Sequence, residues 1–374
     1  TIENHFTIDV ISQDENSVII NYKINNFDIN EVEVEGELYQ SISLEGEPNF
    51  LIEGNPSLPH INRSLIIPDN ASMQIEVLDA DYYTLNNMNI LPSKGNLRRN
   101  IDPNTVPYIK GDIYNQNANF PISVVETFNP YILRDYRGQV LQLNPFLYNA
   151  FLNELTVYEN ITLKIEFLGE NSINMYESRN NNELVYDYNQ LYLNHFLNYD
   201  SYLSRYTPID ENGEMLVICY DSFCDEMEEF VDWKNQKGIQ TTLVPKSTAG
   251  TTATSIKNYV QSFYNSNNLV YLLLVGDKSQ IPTFEVGGGW SSGESDISYA
   301  YISGNDSYPE FFVGRFSANN TGQVSTMVER TIEYERDPQI NANWYTKGLM
   351  IASNEGAGAG HDGGESDWQH AQNM

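Results

Sequence analysis

The sequence predicts a two-domain protein in which a β-sandwich precedes an α/β domain with a parallel sheet. Before residue 171, apolar residues recur at every second position, which is typical of half-buried antiparallel strands. From Gly213 onwards, continuous apolar runs alternate with segments that have one apolar helical face, which is typical of buried parallel strands and their connecting helices. A length of 374 residues fits two domains. We place them at residues 1–205 and 206–374.

In the first domain, the alternation is clearest at residues 18–24 and 161–167. Clusters of glycine, proline and asparagine at 54–56, 68–70 and 94–96 predict turns between short strands. Many short strands without a convincing long helix favour a sandwich. Residues 171–205 are rich in asparagine and tyrosine with little periodicity, so we expect a connecting segment there.

The second domain opens with a continuous apolar run at residues 215–219, as a strand buried on both faces requires. The parallel sheet would have helices on both faces and would bind ligands at the carboxyl ends of its strands. The further predicted elements are a helix from Ser222 to Gly238, a strand at 239–244, a helix capped by Thr251, strands at 270–275 and 311–313, a helix at 321–336 and a last strand at 349–352.

Charge and composition exclude several classes of protein. The chain has 51 acidic and 20 basic residues and a net charge of −31, which disfavours nucleic-acid binding. Its longest apolar runs are too short to span a bilayer, so we expect no membrane span. The first residues do not form a secretion signal, so we expect any signal to be absent from this chain. Cys219 and Cys224 are the only cysteines, and we predict neither a disulfide framework nor a metal site from them.

Residues 358–363 match the dinucleotide-binding pattern G-x-G-x-x-G. The match follows the last predicted strand rather than the first, and His361 and Asp362 stand where close backbone approach is needed. A flexible glycine loop beside a site is the better interpretation. The five histidines lie beside no obvious cysteine or serine nucleophile.

Carboxylates concentrate in two places in the second domain. The first place is the stretch from 277 to 310, which has a loop-like sequence. Oxygen ligands from loops suit Ca²⁺, although exposed surface acids would give the same pattern. Glu355 and Asp367 flank the glycine loop, where a carboxylate can orient a catalytic histidine or bind a cationic group of a substrate. The carboxylates of the stretch from 277 to 310 are those of Asp277, Glu294, Asp296, Asp306 and Glu310.

A series of short motifs follows the order found in one known family. In the first domain, GNPSLP at 54–59 and LRDYR at 133–137 resemble the β-rich propeptide of that family. The sequence thus resembles the gingipains, the C25 cysteine peptidases, and especially their arginine-specific members. The motifs of the second domain are YTP at 206–208, FVDWKNQKG at 230–238, LVGD at 274–277, GND at 304–306, VGRFS at 313–317, YER at 334–336, IASNEG at 351–356 and GESDWQH at 364–370.

The resemblance implies a caspase-like α/β fold, a Cys–His dyad and cleavage after arginine in protein or peptide substrates. It implies that Glu355 orients the catalytic histidine and that Asp367 lies at the base of the S1 pocket. The segments that carry the dyad are absent here and are expected beyond Met374, so the second domain is incomplete and this chain alone should be inactive. The family also binds calcium, for which Asp306 and Glu310 are the preferred ligands, followed by Asp277 and Asp296. We expect a zymogen that is secreted or on a bacterial cell surface.

The resemblance also points to Arg205–Tyr206 as the activation site, cut by the enzyme itself. The change of pattern falls there, and residues 198–212 lack an apolar face, so we expect them to be exposed and mobile. Before cleavage, Arg134 or Arg137 would block the S1 pocket, unless they pair with Asp135 or other acids. The alternatives are a noncatalytic protein-binding module of the same fold and a nucleotide-binding oxidoreductase.

Overall fold

A computed structural model describes residues 5–352 except 98–100, 179–182 and 288–291. It contains mixed sheets and helices, with antiparallel strands in the first half and a parallel sheet in the second. Among the described residues, no helix is both long enough and apolar enough to cross a membrane.

The first half is built mainly from antiparallel strands. One helix, α1 (Tyr186–His195), follows them. The strands are β1 (Phe6–Gln13), β2 (Ser17–Ile24), β3 (Asp28–Val34), β4 (Glu37–Ser43), β5 (Ile61–Ile66), β6 (Ser72–Asn86), β7 (Asn119–Phe120), β8 (Val125–Thr127), β9 (Tyr131–Leu133), β10 (Tyr136–Leu143), β11 (Phe146–Asn149), β12 (Glu154–Leu168) and β13 (Glu183–Leu184).

Two of the antiparallel sheets share one core. The larger has the order β1-β2-β12-β11-β7, with β6 also paired to β12, and the smaller has the order β5-β10-β8, with β9 paired to β10. In β2, Val18, Ile20, Tyr22 and Ile24 are buried, and the residues between them are less buried, as the alternation predicts. They pack against apolar residues of β5 and β10 in the opposite sheet. Burial of one face of each sheet therefore holds the two sheets together.

The segment from 171 to 205 is not the simple connection that the sequence suggests. It contains α1, and Tyr188, Tyr192 and Tyr199 are almost fully buried against Tyr136 and its neighbours. The rings of these tyrosines are buried, and the hydroxyl groups of Tyr192 and Tyr199 donate to Asp135 and Asn189, so an apparently polar segment forms a core.

The second half holds a four-stranded sheet of order β16-β15-β17-β20 in which all neighbours are parallel. A short hairpin, β18–β19, lies outside this sheet. The strands are β14 (Thr207–Pro208), β15 (Glu214–Cys219), β16 (Thr241–Pro245), β17 (Leu269–Val275), β18 (Phe284–Val286), β19 (Gly293–Ser295) and β20 (Phe312–Phe316), and the helices are α2 (Glu228–Gln236), α3 (Lys246–Ala249), α4 (Ala253–Ser266) and α5 (Thr321–Arg336).

Helices cover both faces of this sheet, as the apolar runs predict. Leu216 and Ile218 of β15 face α4, whereas Met215 and Val217 face α2 and α5. Successive residues of a strand point to opposite faces, so a strand covered on both sides must be apolar throughout. This explains the unbroken run at 215–219.

Three predicted details in this half are wrong. Two 3₁₀ turns, Asp221–Phe223 and Asp225–Met227, precede α2, so the regular helix begins later than Ser222. Thr252 rather than Thr251 caps α4, through a reciprocal pair of hydrogen bonds with Ser255. Residues 349–352 lie in no strand, and Leu349 and Ile351 are 87% and 90% exposed, because these residues pair with neither edge of the sheet.

The two cysteines are bonded to each other in a single bridge, which their number and spacing alone did not predict. Cys219 is the last residue of β15, and Cys224 follows the first 3₁₀ turn. Because the turn brings the chain back, a spacing of five residues is enough for a bridge, with the two Cα atoms 5.4 Å apart.

Candidate functional site

The junction between the halves is held by an ion pair. The Nη1 and Nη2 atoms of Arg205 lie 2.9 and 2.8 Å from the two carboxylate oxygens of Asp69, in a bidentate arrangement. Burial alone would lower the pKa of Arg205, but the hydrogen bonds with Asp69 outweigh it and hold the pKa above its ordinary value. Arg205 is therefore a fixed cation.

Tyr206, on the other side of the junction bond, is buried in the aromatic core of the first half. Its hydroxyl group donates to the backbone oxygen of Asp135 at 3.0 Å, and its ring lies edge-on to Tyr136. The expectation that residues 198–212 are exposed is therefore wrong for Tyr206, although Leu203 and Ser204 are exposed. Tyr206 is buried because it packs among other tyrosines, and such packing leaves no helical periodicity of apolar residues in the sequence.

Arg134 connects the first half to the second. Its side chain is 1% exposed, and its Nη1 atom donates to the backbone oxygens of Leu269 and Glu310 at 2.6 and 2.8 Å. Its Nη2 atom donates to Oδ1 of Asn268 at 2.7 Å, and the guanidinium lies over the ring of Tyr188. These acceptors precede β17 and β20 or begin them, so Arg134 binds the amino-terminal edge of the parallel sheet.

Further contacts extend this interface. The rings of Tyr131 and Tyr308 stack with centroids 3.7 Å apart. The backbone N–H of Ile132 donates to Oδ2 of Asp306 at 2.9 Å, and that of Asn305 donates to Asn174. Aromatic packing and hydrogen bonds together dock the two halves against each other.

Neither arginine proposed to block the S1 pocket lies at the carboxyl edge of the sheet. Arg134 binds the opposite edge, and Arg137 is buried within the first half, where it donates to backbone oxygens of Pro68, Ala71 and Asn174 among others. The Nε atom of Arg134 also lies 3.5 Å from Oδ2 of Asp135, which is the structural ion pair given as the alternative. Both arginines satisfy carbonyl groups in the fold, which favours a structural role for each of them.

At the carboxyl edge of the sheet, Arg315 organises the loops. It donates to the backbone oxygens of Gly276 and Ile281 at 2.6 and 3.1 Å. It also binds both carboxylate oxygens of Asp296 at 2.7 Å. One side chain in β20 thus fixes the loop after β17 and the segment that precedes β20.

The four carboxylates predicted to bind calcium do not meet. Asp277 accepts from the hydroxyl of Ser317, Asp296 is paired with Arg315, and Asp306 accepts from two backbone N–H groups. Among the described residues, no three His, Cys, Asp or Glu side chains are close enough together to hold a metal ion. This set of four residues therefore does not fit a calcium site.

Glu310 differs from the other three because it is fully buried. Its Oε2 atom accepts from the backbone N–H of Ile302 at 2.6 Å, and burial raises its pKa to about 8. Burial, with no cation paired to it among the described residues, is the cause of this raised pKa.

The predicted catalytic and substrate-binding residues, Glu355 and Asp367, lie outside the described residues, as does the glycine loop at 358–363. Nothing in the sequence marks Asp69 as a functional residue or indicates that Arg134 joins the two halves. Asp69 lies in the Pro-Asp-Asn cluster at 68–70, which predicts a turn but no partner. No local pattern connects it with Arg205, 136 positions away.

Comparison with known protein families divides the chain at this junction. The family described as Propeptide_C25 matches residues 3–205, and Peptidase family C25 matches residues 209–374.

Individual relatives agree with these matches. Gingipain R1 of Porphyromonas gingivalis is 36% identical over 357 residues, which are 94% of this chain and 35% of that protein. Gingipain R2 of Porphyromonas gingivalis is 34% identical over 370 residues, which are 96% of this chain and 49% of that protein. The chain thus spans between about a third and half of the length of these relatives. The solved complex of the Porphyromonas gingivalis RgpB pro- and mature domains has a TM-score of 0.46 and 26% identity, covering 52% of this chain and 97% of that one.

Proposed function

The chain belongs to peptidase family C25, and from this premise we propose that it is the propeptide and first part of the peptidase domain of a cysteine endopeptidase that cleaves after arginine. Its substrates are proteins or peptides with arginine at P1, the residue on the amino side of the cut bond. The partner of the propeptide half is the peptidase half of the same chain, which it contacts through Arg134 and Tyr131.

The observation that carries this proposal is the position of Arg205. It is the last residue that the propeptide family matches, and the peptidase match begins at residue 209. An arginine-directed enzyme would cut after Arg205 and separate the two halves. The chain therefore carries a substrate of the proposed enzyme at its own boundary.

Two carboxylates have proposed roles that rest on the motifs IASNEG and GESDWQH. Glu355 accepts a hydrogen bond from the catalytic imidazole and fixes its tautomer, so that the other ring nitrogen can take the proton of the cysteine thiol. Asp367, at the base of the S1 pocket, pairs with the guanidinium of the P1 arginine. The dyad itself would come from residues that follow Met374.

We also propose the finer architecture of the family, a β-sandwich propeptide followed by a caspase-like domain. Two antiparallel sheets around one core support the first, and a parallel sheet covered by helices on both faces supports the second.

A secreted or surface-attached location in a bacterium completes the proposal. The bond between Cys219 and Cys224 supports it, because disulfides form and persist in oxidising compartments.

The test is to produce a precursor that includes the dyad, activate it and sequence the new amino terminus. We expect Tyr206 as the first residue, and no cut in a precursor whose catalytic cysteine is replaced by alanine. Arg205→Ala should abolish this cut, whereas Arg336→Ala, at an exposed arginine, should leave it unchanged. Another terminus, or normal processing of Arg205→Ala, would refute self-cleavage at this bond.

A further inference from the structure

We propose that Asp69 guards the junction bond by holding the side chain of Arg205, so that the opening of this ion pair limits cleavage between Arg205 and Tyr206. The inference rests on the proposed function in that it takes this bond as the activation site. It adds a residue that controls when the bond can be cut.

The geometry of the pair is suited to holding a P1 arginine. Both carboxylate oxygens of Asp69 are occupied by the guanidinium, at 2.9 and 2.8 Å. The rings of Tyr136, Tyr176 and Tyr206 surround the guanidinium at 5.4 to 5.6 Å from their centroids. An S1 pocket must take the whole arginine side chain, so no protease can bind Arg205 until it leaves Asp69.

Residues on the amino side of the bond are exposed, in contrast to the side chain of Arg205 and to the buried Tyr206. Leu203 and Ser204 are exposed, and the N–H of Arg205 donates to the backbone oxygen of Tyr202 at 3.0 Å in a turn. A protease can therefore reach the amino side of the bond. The folded chain withholds the side chain of Arg205, together with the buried Tyr206 that follows it.

Asp69 itself is held in place. The buried Arg137 donates to the backbone oxygens of Pro68 and Ala71, on either side of the loop that carries Asp69. The N–H of Tyr176 donates to the backbone oxygen of Asp69 at 3.0 Å. Because the carboxylate is already in position, Arg205 gains a partner without reordering the loop.

Acidic residues line the cleft beside the pair, and their negative charge favours the closed state, in which Arg205 is bound to Asp69. It has a volume of about 480 Å³ and is lined by Asp14 and Glu15 as well as by Asp69 and Arg205. When opening and closing are fast, proteolysis follows the population of the open form. Weakening the pair should therefore speed cleavage in proportion to that population.

The experiment uses trypsin, which cleaves after arginine and does not depend on the proposed enzyme. The chain of residues 1–374 is digested briefly, and the rate at which a new Tyr206 terminus appears is measured by mass spectrometry. Asp69→Asn should speed this cut about tenfold, which corresponds to about 1.4 kcal/mol. The variant Asp69→Glu, which keeps the negative charge, should be cut by trypsin more slowly than Asp69→Asn.

The matched control is Glu47→Gln, which breaks the ion pair between Glu47 and Arg63 elsewhere in the propeptide. It should leave the rate of cleavage after Arg205 unchanged. This control separates the loss of the Asp69–Arg205 ion pair from a general destabilisation of the propeptide half. Equal rates for wild type and Asp69→Asn would overturn the proposal, as would equal acceleration by Asp69→Asn and Glu47→Gln.

A second measurement needs no variant and remains decisive if Asp69→Asn does not fold. High salt should speed the cut in the wild-type chain relative to a peptide of residues 198–212, which lacks Asp69, because salt weakens a partly exposed pair. No relative acceleration would contradict the guard. Because trypsin makes the cut, failure here leaves self-processing untouched, and failure of self-processing leaves this result standing.

Discussion

The guanidinium of Arg134 donates to the backbone oxygen of Glu310 at 2.8 Å, and the two residues belong to different halves of the chain. Both side chains are almost fully buried. The cation satisfies a carbonyl group rather than the carboxyl group of Glu310, whose pKa burial raises to about 8. The interface between the halves therefore contains a buried charge and a buried carboxyl that is mostly neutral at pH 7.

Arg134→Met should destabilise the docked chain by on the order of 3 kcal/mol, because it leaves two buried backbone acceptors and the half-buried amide oxygen of Asn268 without a donor. Urea unfolding would measure the loss. Arg336→Met is the control, since this exposed arginine pairs with Asp337 and should contribute less than about 1 kcal/mol. Equal effects of the two substitutions would contradict the role of Arg134 as the main polar contact between the halves.

Glu310→Gln should change how stability depends on pH. In the folded state Glu310 keeps a proton that the unfolded chain loses above its ordinary pKa of 4.5, so its contribution is full below that pH and is lost as the pH rises to about 8. Between pH 5 and 9, wild type should therefore lose on the order of 3 kcal/mol relative to Glu310→Gln. Urea unfolding at several pH values measures this difference. The exposed Glu294→Gln should show no such trend, and a parallel course for wild type and Glu310→Gln would show that Glu310 is ionised in the folded state.

Asp367→Asn should reduce the preference for arginine over lysine at P1 in the complete enzyme. Loss of a buried partner of a guanidinium costs on the order of 2–5 kcal/mol in transition-state binding. The ratio of kcat/KM for matched arginine and lysine peptides measures it. An unchanged ratio would show that another residue forms the base of the pocket.

Calcium should raise the melting temperature of the chain after treatment with a chelator, because a ligand that binds only the native state stabilises it. The four predicted carboxylates lie apart, so Asp296→Asn should lower stability without removing the response to calcium. If millimolar calcium leaves the melting temperature unchanged, the prediction of calcium binding is wrong.

Much of the fold could be predicted because it depends on local patterns. The helix from Thr321 to Arg336 has the predicted bounds, since Asn320 caps its start and Pro338 follows its end. The strand at 215–219 could be recognised because burial on both faces requires apolar residues at every position. The packing of the segment from 171 to 205 could not be predicted in this way, because its core is made of tyrosines, which do not form an obvious apolar face.

The candidate site was harder to predict because its contacts join distant positions. Glu310 follows an apparent loop, and nothing in its neighbourhood indicates that it is buried. Asp69 and Arg205 are 136 positions apart, and their pairing depends on how the first half folds. Residue roles that rest on family motifs, such as those of Glu355 and Asp367, need no such contacts to be proposed.

The burial of Tyr206 has a consequence for the cooperative units of the molecule. Tyr206 packs among tyrosines of the first half, and the next two residues form β14, which pairs with β13 of that half. The N–H of Ile209 donates to the backbone oxygen of Leu184 at 2.9 Å. Residues 206–208 lie between the two family matches and Ile209 begins the peptidase match, yet all four residues are held by the propeptide half. Their amide hydrogens should therefore exchange with solvent at rates similar to those of α1. After a cut at Arg205, the first residues of the peptidase half would still be packed against the propeptide half and hydrogen-bonded to it.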